Sequence, residues 1–326
     1  MKTLTYIGTQ KGYGAYPNIN RELKKSLSFY FNISEYYNQK NKLSDFTFSH
    51  EYPIEPVLHR LPIYNVVATA WEFATPQGFP ICKRKAMNTY DLAVVPSNWI
   101  KKEIQSVIEI PIEVMHWGVN PNIYYANDYE DKENIILCVG GTDKRHGVDI
   151  FFKIASMFEK NKDWRFVLKV TSQYPVGSFQ IPYNVQLITE DYSEIQMADL
   201  YRQSKIFLLP ARGVGYSLPV IQAIACGATV VSPPLPPLIE MSEWDFSLFN
   251  AFEFSREGFW EETEHHLYSD CLPIWFEPNI EDLAFSLQRA MQYSKSNYIA
   301  SVWIREHRSW DYTAKTLLKI LEGKTK

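Results

Sequence analysis

Short apolar runs alternate with amphipathic stretches along almost the whole chain. Thr3–Ile7, Phe46–Ser49, Ile63–Ala70, Leu92–Val95 and Ile112–Met115 read as strands. Between them the spacing predicts a helix over Ile19–Phe31, a basic helix near Cys82–Asn88, and a third opened by Ser97 as its N-cap. Near-continuous apolar runs, rather than in-out alternation, are what strands of a parallel sheet covered on both faces show. A polar, acidic stretch over residues 121–134 then interrupts the pattern and reads as a linker. Beyond it the alternation restarts: strands at Asn134–Val139, Arg165–Thr171, Val185–Ile188 and Ile206–Leu209, with helices at Val148–Glu159 and Ser193–Ser204 between them. Residues 243–274 read as irregular, and Ile280–Tyr293 and Trp310–Leu321 as amphipathic helices. Two such series imply two doubly wound α/β domains.

The densest segment is Leu208–Gly227: a buried strand, a glycine-bearing turn (Arg212, Gly213, Val214, Gly215, Tyr216, Ser217), a helix from Leu218, and at once another strand, Ala228–Ser232. This is a βαβ unit. Ligands of such sheets bind outside the carboxyl ends of the strands, and the helix N-terminus there favours anions. Gly12, Tyr13 and Gly14 make a similar turn after the first strand, where backbone can approach a phosphate.

Composition narrows the classes. The chain has 326 residues, 46% hydrophobic, which suits two globular domains and not a disordered chain. A formal charge of −4 implies no general affinity for polyanions, although residues 1–127 carry a small excess of Lys and Arg. Cys82, Cys138, Cys226 and Cys271 lack metal-ligand spacing, and His265-His266 has no partner at such a spacing. With no signal-peptide pattern at the N-terminus and no apolar run of spanning length, the expected setting is cytoplasmic, peripheral membrane association staying open.

The wording of Pro210–Gly227 resembles the donor-sugar segment of retaining GT-B glycosyltransferases, glycosyltransferase family 4. Pro210, Arg212, Gly213, Gly215, Leu218, Pro219, Ala223, Ala225, Cys226 and Gly227 match; Val214 and Gln222 stand where the family has glutamates. Val95–Trp99, Met115–Pro121, Val139–Asp149 and Ser309–Ala314 resemble further family stretches in the family order, and Ala70-Trp71-Glu72 resembles the turn of one branch. In Val139–Asp149, Gly141 and His146 replace the Arg and Lys that the family offers to the donor diphosphate.

The resemblance implies a GT-B fold with an interdomain cleft. It divides the chain into an acceptor-side domain over 1–125, a nucleotide-sugar domain over 126–305 and a helix over 306–326 that returns to the first domain. It implies transfer of a sugar from a UDP- or GDP-linked donor, with retention, without metal and without a resident cofactor. Donor contacts would come from Gly12–Gly14, from Lys144, Arg145 or Lys169 as replacement cations, and from Arg212–Leu218 and Gln222. Glu72 is expected as an acceptor-side carboxylate, and His50 as a group touching sugar or acceptor. The acceptor stays open between glycan, lipid and modified nucleic acid. Two alternatives follow from the same residues: a GT-B protein without catalysis that acts as a binding or scaffold partner, and a glycosyltransferase acting on DNA or another polyanion.

Overall fold

The computed structural model describes residues 1–10, 15–35, 44–51, 54, 56, 63–74, 79–127, 132–171, 179–243, 251–262, 274–293 and 295–324. Gly12–Gly14, His265-His266 and Cys271 therefore lie outside the described residues. The chain divides into two compact units, one holding Met1–Gly118 and Arg308–Lys326, the other Val119–Glu261 and Trp275–His307.

In the first unit, β1 (Thr3–Ile7), α1 (Ala15–Leu27), β2 (Asn32–Glu35), β3 (Phe46–Ser49), β4 (Tyr64–Ala68), α2 (Ile81–Met87), β5 (Leu92–Val95), α3 (Asn98–Ile104) and β6 (Ile112–Val114) follow in order. The sheet is ordered β2-β1-β3-β4-β5-β6, and every pairing is parallel. All four residues of β5 are buried, as a central strand covered on both faces requires. Ser97 caps α3, its Oγ accepting the Ile100 N–H.

The first helix starts and stops four residues before the expected Ile19–Phe31. Pro17 fits the first turn, where its missing N–H costs nothing. Beyond Leu27 the aromatic run that suggested more helix is a turn leading into β2, with Phe29 exposed and Phe31 buried.

In the second unit, β7 (Glu133–Val139), α4 (Val148–Met157), β8 (Arg165–Lys169), β9 (Val185–Ile188), α5 (Glu194–Gln203), β10 (Ser204–Leu208), α6 (Leu218–Ala225), β11 (Thr229–Ser232), α7 (Pro236–Ser242) and β12 (Phe252–Phe254) lead into a ribbon, β13 (Gly258–Glu262) with β14 (Ile274–Pro278). Then come α8 (Ile280–Tyr293) and α9 (Tyr298–His307). The sheet is ordered β12-β11-β10-β7-β8-β9. From β7 the chain winds one way, and from β10 the other. The strand order therefore reverses between β7 and β10, which is the topological switch point of a dinucleotide-fold sheet. Its core packs Phe151 and Ile154 of α4 and Leu283 and Leu287 of α8 among Ile136, Phe166, Leu168 and Leu208 of the strands.

Residues 243–274, expected to be irregular, contribute β12 and most of the described part of the ribbon. The last helix, α10 (Trp310–Leu321), belongs to the first unit. It packs on α1, and Tyr30 donates a hydrogen bond to Asp311 (2.6 Å). Gly118 is tied to this packing: a Cβ there would lie 2.4 Å from Ser309 and Trp310 backbone. No helix of the described residues is long and apolar enough to cross a membrane.

Candidate functional site

The carboxyl ends of β7 and β10 carry the two loops singled out in the sequence, and the loops are bonded to each other. The loop after β7 holds a single 3-10 turn, Lys144–His146, capped by Asp143 and closed by Gly147. Gly147 adopts φ +72°, and a Cβ there would lie 2.0 Å from the Pro210 carbonyl oxygen. Only glycine suits both conditions. This contact seats the turn against the start of the second loop. There the Arg212 N–H donates to the Arg145 carbonyl (2.8 Å).

Arg212 is buried and uses all its donors within the protein. Its Nη1 and Nη2 donate to the Asp149 carboxylate (2.8 Å each), Nε and Nη2 to Glu277, and Nη1 also to the Lys144 carbonyl (2.6 Å). A guanidinium has five N–H groups, so none remains for a phosphate. The Arg212 side chain clamps α4, the 3-10 turn and β14 together. Burial alone would lower the guanidinium pKa, but the hydrogen bonds and charges of Asp149 and Glu277 outweigh it and leave it raised. Burial would conversely raise the Asp149 carboxyl, and Arg212 turns the balance downward. The buried Trp275 indole lies 5.4 Å from the Arg212 guanidinium and 5.3 Å from Lys144 Nζ.

Arg145 differs from Arg212 in every respect that matters to a ligand. It is half-buried, and its Nη1 donates to the Gly213 carbonyl (3.1 Å) and its Nη2 contacts His146 Nε2 (3.1 Å). Neither partner is a carboxylate. Among the described residues it has no carboxylate ion-pair partner, and three of its five N–H groups are uncommitted. It spans from the loop after β7 to the loop after β10, across the switch point.

Lys169, the third candidate cation, ends β8 and is buried, its Nζ donating to the Val170 carbonyl (2.6 Å) and lying 5.1 Å from the Tyr192 ring. Burial lowers its pKa, partly opposed by Asp191 and Glu190. Lys144 is exposed. Gly213, Val214, Gly215, Tyr216 and Leu218 are buried, and Gln222 is half-buried on α6. The Ser217 hydroxyl accepts the Val220 N–H as the N-cap of α6 (3.4 Å). That cap, with Pro219 in the first turn, presents the N-terminus of α6 at the same end of the sheet.

In the first unit His50 lies fully buried at the end of β3, stacked on Tyr16 (4.8 Å) and edge-on to Trp117 (5.5 Å). Asn20 Nδ2 donates to the Thr9 and His50 carbonyls, so Asn20 Oδ1 is the atom that faces Tyr6 OH (2.8 Å) and His50 Nδ1 (2.7 Å). Nδ1 therefore carries the ring proton. Nε2 has no hydrogen-bond partner among the described residues. Burial depresses the His50 pKa to about 3, and the imidazole is neutral. His50 has no exposed surface, and its contacts fix the ends of β1, β3 and α1. Glu72 is half-buried on the turn after β4, between Trp71 and Phe73, whose rings meet edge-on (5.3 Å).

Residues 133–243 match the family described as glycosyl transferases group 1. Over the whole chain the fold matches a sucrose-phosphate synthase from Thermosynechococcus elongatus (TM-score 0.69, 11% identity, 99% of each chain covered). It also matches the Anabaena protein HepE in complex with UDP-glucose (TM-score 0.67, 9% identity, 99% of this chain and 100% of that one). The fold is GT-B, and the stretch that matches the group 1 glycosyl transferases lies within the second unit. A curated relative, the serotype-specific mannosyltransferase WbdA of Escherichia coli, is 19% identical over 58% of this chain; the match spans 26% of that larger protein. The segment runs from β7 to the residue after α7, so it holds both loops of the switch point, Arg145 and Arg212 included.

Sequence reasoning missed Asp149 and Glu277 as partners of Arg212, and Asn20 as the partner of His50. Asp149 was within reach, because it stands in a matched stretch. Glu277 lies 65 residues from Arg212, and no local pattern joins them.

Proposed function

We propose that this chain is a glycosyltransferase that moves a sugar from a nucleotide-diphosphate donor, UDP- or GDP-linked, held at the β7/β10 switch point. The observation that carries the reading is the Arg145 guanidinium, half-buried at the carboxyl ends of the central strands and with no carboxylate ion pair among the described residues. A guanidinium with uncommitted N–H groups in such a place suits a diphosphate, which it grips with paired charge-assisted hydrogen bonds. Lys144 adds a second cation on the same turn, and the α6 N-terminus adds peptide dipoles.

Charge would then develop on the departing diphosphate next to cations and N–H groups that are already in place, which is what stabilises such a transition state. We propose that these cations act in place of a metal and that the product retains the donor's configuration. Gln222, half-buried on α6, can donate to and accept from a ribose hydroxyl. Glu72 is assigned to the acceptor side. The mannosyltransferase name of the E. coli relative and the UDP-glucose complex of HepE make GDP-mannose and UDP-glucose the first donors to test.

The test is calorimetric titration of the full chain with both nucleotide sugars, then with Arg145→Met. Saturable binding of one donor, weakened at least about tenfold in the variant, supports the reading. If neither these nor a wider panel of sugar nucleotides bind at millimolar concentration, the transferase reading fails and the alternative of a GT-B binding or scaffold protein takes its place.

A further inference from the structure

We propose that His146 is a positioning residue that holds the Arg145 guanidinium in place for the donor diphosphate, and that Asp143 selects the imidazole tautomer able to do so. The proposal rests on the donor site described above. The Asp143 carboxylate can only accept, and its Oδ2 lies 2.7 Å from His146 Nδ1, so Nδ1 carries the proton. Nε2 is then a bare lone pair, and it accepts from Arg145 Nη2 at 3.1 Å. Asp143 also accepts the His146 backbone N–H through Oδ1 (3.3 Å), which anchors the ring from two sides.

The neighbouring glycine belongs to the same device. A Cβ on Gly141 would lie 2.8 Å from His146 Nδ1 and 2.9 Å from Cε1. The imidazole occupies the room that a side chain at 141 would need. The small residue at 141 and the histidine at 146 are therefore one arrangement, in which the cation is supplied from position 145.

The consequence is a dependence on proton concentration. A second proton on His146 would place an N–H against the N–H of Arg145 and bring two cations together. Asp143 and Arg145 face the ring from its own turn. From elsewhere, the described charged groups packed on the same loop include Arg212, with Asp149 and Glu277, through the Lys144 carbonyl, and Lys169 of β8, whose carbonyl accepts the Gly140 N–H (3.2 Å). Burial would raise the Asp143 carboxyl, but the His146 hydrogen bonds and the charges of His146 and Arg145 hold it well below the usual carboxylate range. Asp143 is thus held in the ionised form that accepts from the imidazole.

UDP-glucose and GDP-mannose serve as probes, because their diphosphates carry a fixed charge through the histidine window of about pH 6 to 8. Donor affinity of the unaltered chain should fall about tenfold from the top to the bottom of that window. His146→Gln, whose amide oxygen still accepts from Arg145 but does not titrate, should keep the high-pH affinity within about threefold and lose the pH dependence. His146→Ala should be weak at both ends. An unchanged pH slope in His146→Gln overturns the proposal while leaving the donor site standing; no binding of either sugar at any pH overturns both. Imidazole 15N shifts give a ligand-free measure: His146 must show a protonated Nδ1 and a bare Nε2, and the opposite tautomer refutes the assignment.

Discussion

At the residue scale, two arginines in adjacent loops have opposite fates. Arg212 matches the family motif, yet its guanidinium is spent on Asp149, Glu277 and the Lys144 carbonyl. Arg145 had only been one of three replacement cations, yet it keeps free donors at the switch point. No sequence pattern separates them, because the difference lies in acceptors brought from α4 and β14. Arg212→Met should therefore destabilise the protein by about 3–5 kcal/mol, since it leaves two carboxylates without their partner. Arg145→Met should change stability by less than about 1 kcal/mol and still lose donor binding. Chemical denaturation followed by tryptophan fluorescence, beside the titrations above, reads both.

At the element scale, caps and glycines set where the loops begin and end. The Ser217 cap and Ser97 cap follow local rules, and Ser97 was assigned from sequence alone. Ser217→Ala should cost about 0.5–2 kcal/mol. Its donor affinity should also weaken, because the frayed first turn of α6 no longer aims its N–H groups. Gly147→Ala meets two obstacles at once, a left-handed backbone and the Pro210 carbonyl, and should cost more than about 1 kcal/mol. Thermal melts of the two variants would rank them, the glycine change being the larger.

The elements that sequence reasoning passed over share a cause. β2 and β12 are edge strands of three or four residues, too short to show a period. α7 opens with Pro236-Pro237, which reads as a break but is tolerated in a first turn. β13 and β14 pair with each other in a two-stranded ribbon outside the main sheets.

At the scale of the whole molecule, acid should destabilise the chain through His50. Its folded pKa is about 3, against about 6.5 in an unfolded chain. Below that upper value the unfolded chain takes up a proton that the folded chain refuses. Stability is therefore full above pH 6.5 and falls until about pH 3. Denaturation midpoints across that range should decline, and His50→Gln should flatten the decline. Retention of the same slope in the variant would assign it to other groups.

The amino-acid order alone determined that there are two parallel, doubly wound sheets, because buried strands and amphipathic helices write their periods locally. It also marked the glycine-bearing turn between β10 and α6, since tight turns restrict residue choice. Which cation remains available for an anion was decided only in three dimensions. That outcome depends on where Asp149, Glu277, Asp143 and the Gly213 carbonyl come to rest, and contact between distant segments leaves no period in the chain.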